Sequence, residues 1–303
     1  MEYINWPVYN QSLVRRGEIL PGFDVIDNWD TDLQEMNKDN VDEPFHYPNT
    51  FLLLLVYAKA YFHLPYRQTE GIAQGHAKGK VPSIPDFTTI CKKRIDKLNI
   101  SIDVDKDKVS KDEYIVIAID STGIKVTNRG QLMQDKWHIK NKKGYLKIHI
   151  AVNVKTKEIL SMKVTDEHVH DSRTLPELVD GVTKSYNMAA SVIGKLFADG
   201  AYEGNNIFKY LSDNGILSCI KVRKNARIKL KKGNIIRNLT GVAQRNDLQK
   251  WKDGERYGKR WIVETVFSYL KRRFGEYIYS VRLENMIQEM ILKASLYNKL
   301  ISV

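Results

Sequence analysis

The chain has 303 residues, of which 43% are hydrophobic and 28% charged; that composition supports a globular protein with a sizeable core and excludes disordered and collagen-like classes. Its longest apolar run, Phe51 to Ala58, falls far short of the roughly twenty residues that cross a bilayer, and Met1-Glu2-Tyr3-Ile4-Asn5 has neither the basic start nor the apolar core of a signal peptide, so a cytoplasmic protein without a membrane partner is expected. The formal net charge of +12 points to an acidic partner.

That charge is unevenly spread. Residues 1–113 hold 14 Lys and Arg against 18 Asp and Glu, whereas the rest of the chain holds 34 against 18. Basicity peaks between Lys221 and Arg260, where 14 basic residues face only Asp247, Asp253 and Glu255. An excess of one sign on this scale suits the dense phosphate charge of nucleic acid. Two cysteines, Cys91 and Cys219, have neither a CxxC spacing nor a histidine spacing for zinc and are expected to be buried thiols.

In chain order, the first 45 residues read as irregular and acidic. Phe51 to Phe62 follows the cap candidates Asn49-Thr50 as a buried helix, stopped by Leu64-Pro65. A short helix fits Arg67 to Gln74, and Pro85-Asp86 opens a third that carries Lys92, Lys93 and Arg94 toward Leu98. Three short helices with basic residues on the last resemble a helix-turn-helix, which assigns residues 1–108 to a small all-α region able to bind DNA ends. The polar stretch Asp103 to Lys108 then acts as a linker.

Beyond it the period changes. Tyr114 to Ile119 is a continuous β-branched run, as in a strand buried on both faces. Tyr145 to Val154 and Ile159 to Val164 read as two more strands, followed by a helix from Ser172, a strand at Lys195 to Ala198, a helix from Asn205 to Ser212 and a strand from Ile216 to Val222. Arg223 to Asp253 shows no clear period; a long helix begins near Trp261, and Leu283 to Ile301 is a last amphipathic helix. Adjacent strands followed by alternating helix and strand describe an α/β domain with a mixed sheet over residues 109–303.

Three acids stand out. Asp120 ends the first run in Ile119-Asp120-Ser121-Thr122-Gly123, and Asp199 ends the fourth in Ala198-Asp199-Gly200. Taken alone, each is an ordinary turn aspartate. Glu264 lies on the long helix, where Tyr257, Arg260 and Lys271 would share its face at about 100° per residue if the helix reaches back to Tyr257. An apolar stripe of Val263, Phe267, Leu270 and Phe274 runs beside that face.

The spacing of Tyr257, Arg260, Glu264 and Lys271 matches without a gap the helix signature of the DDE transposases of bacterial and archaeal insertion sequences, and the chain resembles that family over roughly residues 50 to 275. The segments around Asp120 and Asp199 are similar to those carrying the family's first two acids. Val169-His170-Asp171-Ser172 and Pro85-Asp86-Phe87-Thr88-Thr89 are similar to other family segments. The resemblance implies a ribonuclease H-like sheet flanked by helices, with Asp120, Asp199 and Glu264 as catalytic ligands of two Mg2+ or Mn2+ ions and His170 as a possible accessory. It further implies double-stranded DNA as the partner, both the terminal inverted repeats of a mobile element and target DNA, bound by a homodimer in a prokaryotic cell. Arg260, Lys271 and Tyr257 would contact that DNA. Independently of the resemblance, hard dications require carboxylate oxygens, and a pair of them suits phosphoryl transfer. Lys229, Lys231 and Lys232, within the basic stretch, are expected to line a DNA groove. Trp251 and Trp261 are expected to be buried. A metal-dependent nuclease without strand transfer and a non-catalytic DNA-binding protein are the alternatives.

Overall fold

The computed structural model describes residues 5–18, 26–92, 98, 100–106, 114–126, 145–228 and 234–302. Lys93, Arg94, Lys229, Lys231 and Lys232 lie outside the described residues. The chain forms two compact units, one of Met1–Ser101 with Ser280–Val303 and the other of Ile102–Tyr279.

The first unit is helical: α1 (Trp6–Glu18), α2 (Trp29–Asn37), α3 (Asn49–Phe62), α4 (Tyr66–Ala77), α5 (Phe87–Lys92) and a C-terminal helix, Leu283–Ile301. α3 is apolar on nearly every side and buries Phe51 through Leu52 and Leu54 through Ala58. It packs against α2, α4, α5 and the C-terminal helix. Tyr57 and Ser295 share a buried hydroxyl hydrogen bond of 2.8 Å. The C-terminal helix carries a buried pair, Glu289 and Lys293, at 2.9 Å, and Glu289 also accepts from the backbone and side chain of Ser280. These partners hold the Glu289 carboxyl below its ordinary range although its burial works the other way. The sequence placed this helix with the residues of the sheet; in the structure it completes the helical unit.

Two helices, α1 and α2, occupy the first 45 residues, which read as irregular. The periodicity is faint because α2 is anchored by a single buried side chain, Trp29, whose ring meets Phe51 at 5.1 Å and Tyr47 at 6.4 Å.

In the second unit a sheet of β1 (Ile115–Val126), β2 (Tyr145–Asn153), β3 (Ile159–Asp166), β4 (Ile193–Ala198) and β5 (Leu217–Ile220) runs in the order β3-β2-β1-β4-β5. β2 is antiparallel to β1 and β3, while β4 and β5 run parallel to β1. α6 (Leu175–Tyr186) links β3 to β4, and α7 (Asn205–Asp213) links β4 to β5. Ile115, Ile117 and Ile119 face a core shared with Leu175, Leu178, Val182 and Phe208, whereas the alternate residues of β1 face the other side. The middle of α6 lies so close to β3 that a Cβ at Gly181 would stand 2.9 Å from the Ser161 Cβ.

Two further helices, α8 (Ile235–Asn246) and α9 (Leu248–Glu255), occupy the basic stretch that showed no period. Their pattern is hidden because α8 is inverted: Arg237, Asn238 and Gln244 are buried, while Ile235, Ile236 and Leu239 are exposed. Asn234 caps it by accepting from the Arg237 N–H. α10 (Trp261–Phe274) packs on β1 and β2, and β6 (Tyr277–Ile278) pairs with the end of β1.

Candidate active site

Along one side of β1, β4 pairs only as far as Ala118 opposite Phe197, and β6 resumes at Lys125 opposite Tyr277. Between them, residues 119–124 have no strand partner on that side among the described residues, and their other side stays paired with β2. Asp120 lies at the start of this opening, in mid-strand rather than at the strand end that the sequence implied. Asp199 leaves β4 beside it and caps the turn Gly200–Tyr202 by accepting from the Ala201 N–H at 2.8 Å.

The opening is filled from α10 and from the turn before it. Arg260 donates to Asp120 Oδ2 at 2.8 Å and to Glu264 Oε1 at 2.5 Å. Lys271 Nζ donates to Thr122 Oγ1 at 2.7 Å, two residues along the same face of β1 from Asp120. Tyr257 does not share the α-helix of Glu264: Arg256 turns left-handed at φ 54°, and Tyr257–Arg260 is a 3-10 turn that hands over to α10 at Trp261. Its ring is buried, and its hydroxyl donates to the carbonyl of Ala198 at 3.0 Å, immediately before Asp199. The phenol assigned to DNA is thus committed to the protein backbone, and burial pushes its pKa up. The Trp251 ring lies tilted against it, centroids 5.2 Å apart, whereas Trp261 is 62% exposed, against the expectation of burial.

Electrostatically the charges of Asp199 and Glu264 both reach Asp120. The Asp120 carboxyl is pushed up to about 6, chiefly by burial; the Ser121 N–H and Arg260 oppose the shift, and the charges of Asp199 and Glu264 add to it. Crowded carboxylates of this kind call for a compensating cation, and Arg260 binds two of them. Among the described residues no three His, Cys, Asp or Glu side chains are gathered as an ion would hold them. The donors nonetheless fit a hard dication: they are all carboxylate oxygens, mutually repelling and partly desolvated, with no soft ligand among them.

His170 is exposed and caps the turn Asp171–Arg173, its Nδ1 facing the Ser172 N–H at 3.3 Å and the hydroxyl at 2.8 Å. Its neighbour Asp171, which the sequence did not single out, accepts from Ser121, the residue after Asp120, and pairs with Lys147. The basic stretch is partly turned inward: Arg237 donates to the carbonyls of Glu203 and Arg227, and Arg245 to those of Lys224 and Ala226. Glu203 in turn accepts from the Arg223 N–H at 2.7 Å, tying the turn after Asp199 to this segment. Lys92 closes α5. Cys219 is buried as expected, with its thiol pushed up to about 12 by desolvation, but Cys91 is exposed.

The sheet is mixed, with β2 reversed, Asp120 in mid-strand on β1 and Asp199 just past the end of β4. Two family models, each described as a transposase DDE domain, match residues 111–299 and 14–129, and the chain belongs to the transposase DDE domain family. Among solved structures it is similar to a piggyBac transposase synaptic complex with hairpin DNA, at 11% identity and a TM-score of 0.44 over 95% of this chain and 74% of that one. It is also similar to a Drosophila P element transposase strand transfer complex, at 14% identity and a TM-score of 0.32 over 63% and 45% of the two chains. No helix among the described residues is long and apolar enough to cross a membrane.

Proposed function

We propose that this transposase binds the ends of its mobile element, cuts phosphodiester bonds there and joins the freed 3' ends to target DNA, with Asp120, Asp199 and Glu264 as the acids of the reaction. What supports the reading is that the charges of Asp199 and Glu264 act on Asp120 beside the stretch of β1 that lies between its pairings with β4 and β6, where Arg260 binds both Asp120 and Glu264. Asp120, Asp199 and Glu264 would hold two Mg2+ or Mn2+ ions, which when bound activate a water or hydroxyl nucleophile and stabilise the leaving oxygen.

The chain's own groups divide the remaining work. Arg260 neutralises Asp120 and Glu264 and is positioned to turn its planar fork to a phosphate. Lys271 extends the positive lining along β1 through Thr122. Tyr257, from its contact with Ala198, sets the backbone that presents Asp199. Exposed Arg223, Lys224 and Arg227 would supply phosphate contacts, to which Lys229, Lys231 and Lys232, next in the sequence, would add. Pairing two element ends requires at least a dimer on DNA.

The test is to incubate the protein with Mg2+ and DNA bearing its flanking inverted repeats and to resolve the products. Cleaved ends together with joined products are expected; cleavage without joining would identify a nuclease, and no cleavage would overturn the catalytic reading. Replacing Lys229, Lys231 and Lys232 by alanine should flatten the salt dependence of binding by up to about one unit per lost contact. An unchanged slope would place the DNA elsewhere.

A further inference from the structure

Ser121 stands between two carboxylates. Its N–H donates to Asp120 Oδ1 at 2.8 Å, and its hydroxyl donates to Asp171 Oδ1 at 3.0 Å, across 50 residues of chain. Because side chains alternate along β1, Asp120 faces Arg260 while Ser121 points to the opposite face of the sheet. There it lies directly across from His149 in the β1–β2 register. Asp171, at the turn leading into α6, receives Lys147 Nζ at 2.9 Å on the same oxygen that takes the Ser121 hydroxyl, and His149 Nδ1 lies 3.7 Å from it. Lys147 is steadied by the carbonyl of Val169 at 3.1 Å, and His149 Nε2 is engaged with Thr165 Oγ1 at 3.0 Å. Tyr202, wholly buried three residues after Asp199, lies within electrostatic reach of Asp171, Asp120 and Asp199, and its hydroxyl has no hydrogen-bond partner among the described residues.

We propose that Asp171 is a positioning residue for the reacting acids: through Ser121 it fixes Asp120 from behind, and through its ion pair it cancels the Lys147 ammonium that would otherwise oppose a dication at the site. This rests on the metal-dependent reading above. The physical reason is charge balance in a partly desolvated place. With Asp171 present, Lys147 is neutralised and the three acids keep their excess negative charge. Without it, an ammonium with no anionic partner stands behind Asp120 and competes with any cation in front. Outer partners of this kind typically change metal affinity by about 10- to 100-fold.

The experiment measures Mn2+ binding to the DNA-free protein by the loss of the free-ion electron paramagnetic resonance signal, with melting recorded for every variant. D171N should weaken Mn2+ binding about 10-fold or more. K147M added to D171N should recover most of that loss, since it removes the unpaired ammonium, and S121A alone should weaken binding by a smaller factor. In cleavage assays D171N should raise the Mg2+ concentration for half-maximal rate and retain most of the rate at saturating Mg2+. A purely structural Asp171 would lower the melting temperature without moving Mn2+ affinity; D171N binding within twofold of wild type, or no recovery in D171N/K147M, would overturn the proposal. Should D171N fail to fold, S121A carries the test, and Mn2+ affinity equal to wild type in S121A would be equally fatal. D199N separates the two levels. If D199N also binds Mn2+ like wild type, the metal-site reading itself falls; if only D199N loses the ion, the role given to Asp171 is what fails.

Discussion

The guanidinium of Arg260 stands 2.8 Å from the carboxylate of Asp120, 140 residues earlier in the chain, and closes the open side of β1. The same fork holds Glu264 one turn along α10, so one cation ties the strand acid to the helix acid. Two partly desolvated carboxylates sharing one guanidinium are stable as a set, but each is left exposed to repulsion when the cation is removed.

Arg260→Met should therefore lower stability in EDTA by roughly 1–3 kcal/mol. Mg2+ should restore more of the melting temperature in this variant than it adds to wild type, because the dication replaces the missing charge. Calorimetric melting with and without Mg2+ checks both; a variant that melts like wild type in EDTA would show that the ion pair contributes nothing.

Asp199→Asn keeps the shape of the side chain and its acceptor for the Ala201 N–H while removing one anionic ligand. Cleavage should fall by at least about a thousandfold, the scale of losing a principal catalytic group. DNA affinity in a gel shift should hold or rise slightly. Lys271→Ala should do the reverse, weakening DNA binding severalfold at low salt and leaving Mn2+ binding intact. Wild-type cleavage by Asp199→Asn would end the assignment of that acid.

Acidification should reveal two opposed contributions. Asp120, raised from 3.8 to about 6, favours the folded state at low pH, and that contribution is lost as pH rises through about 6. His149, lowered from 6.5 to about 4 by burial, with Lys147 acting in the same direction and Asp171 against it, favours the folded state above 6.5, and that contribution is lost as pH falls through about 4. Over pH 4 to 6 the two oppose each other. Asp120→Asn should consequently lose stability on acidification more steeply than wild type, and His149→Asn less steeply. Denaturant melts at pH 4.5 and 6.5 without metal decide it; parallel slopes in all three proteins would contradict both shifts.

Tyr257→Phe removes a buried hydroxyl and its hydrogen bond to the Ala198 carbonyl, which should cost about 1 kcal/mol. Since that carbonyl precedes Asp199, cleavage should drop while DNA affinity stays unchanged. A loss of affinity comparable to that of Lys271→Ala would return the phenol to the DNA interface.

The sequence by itself determined the alternation of strands and helices in the second unit, because β-branched runs such as Ile115 to Ile119 and the apolar stripe of α10 are local periodicities that need no partner to be recognised. The Tyr257 to Lys271 spacing that drew attention to Glu264 was legible for the same reason, since it lies within one continuous segment. What only the tertiary structure decided concerns neighbours distant in sequence. The unpaired stretch of β1 arises where β4 stops and β6 has not begun, so Asp120 faces an opening in mid-strand. The break at Arg256 takes Tyr257 off the helix and onto the backbone of Ala198, against a face assignment that assumed unbroken helix. α8 escaped notice because it buries Arg237 and Gln244 against backbone groups, and periodicity registers apolar faces, not satisfied polar ones. The exchange of His170 for Asp171 has the same origin. His170 caps its own turn while Asp171 crosses 50 residues of chain to Ser121, and a contact over that separation leaves no local pattern in the sequence.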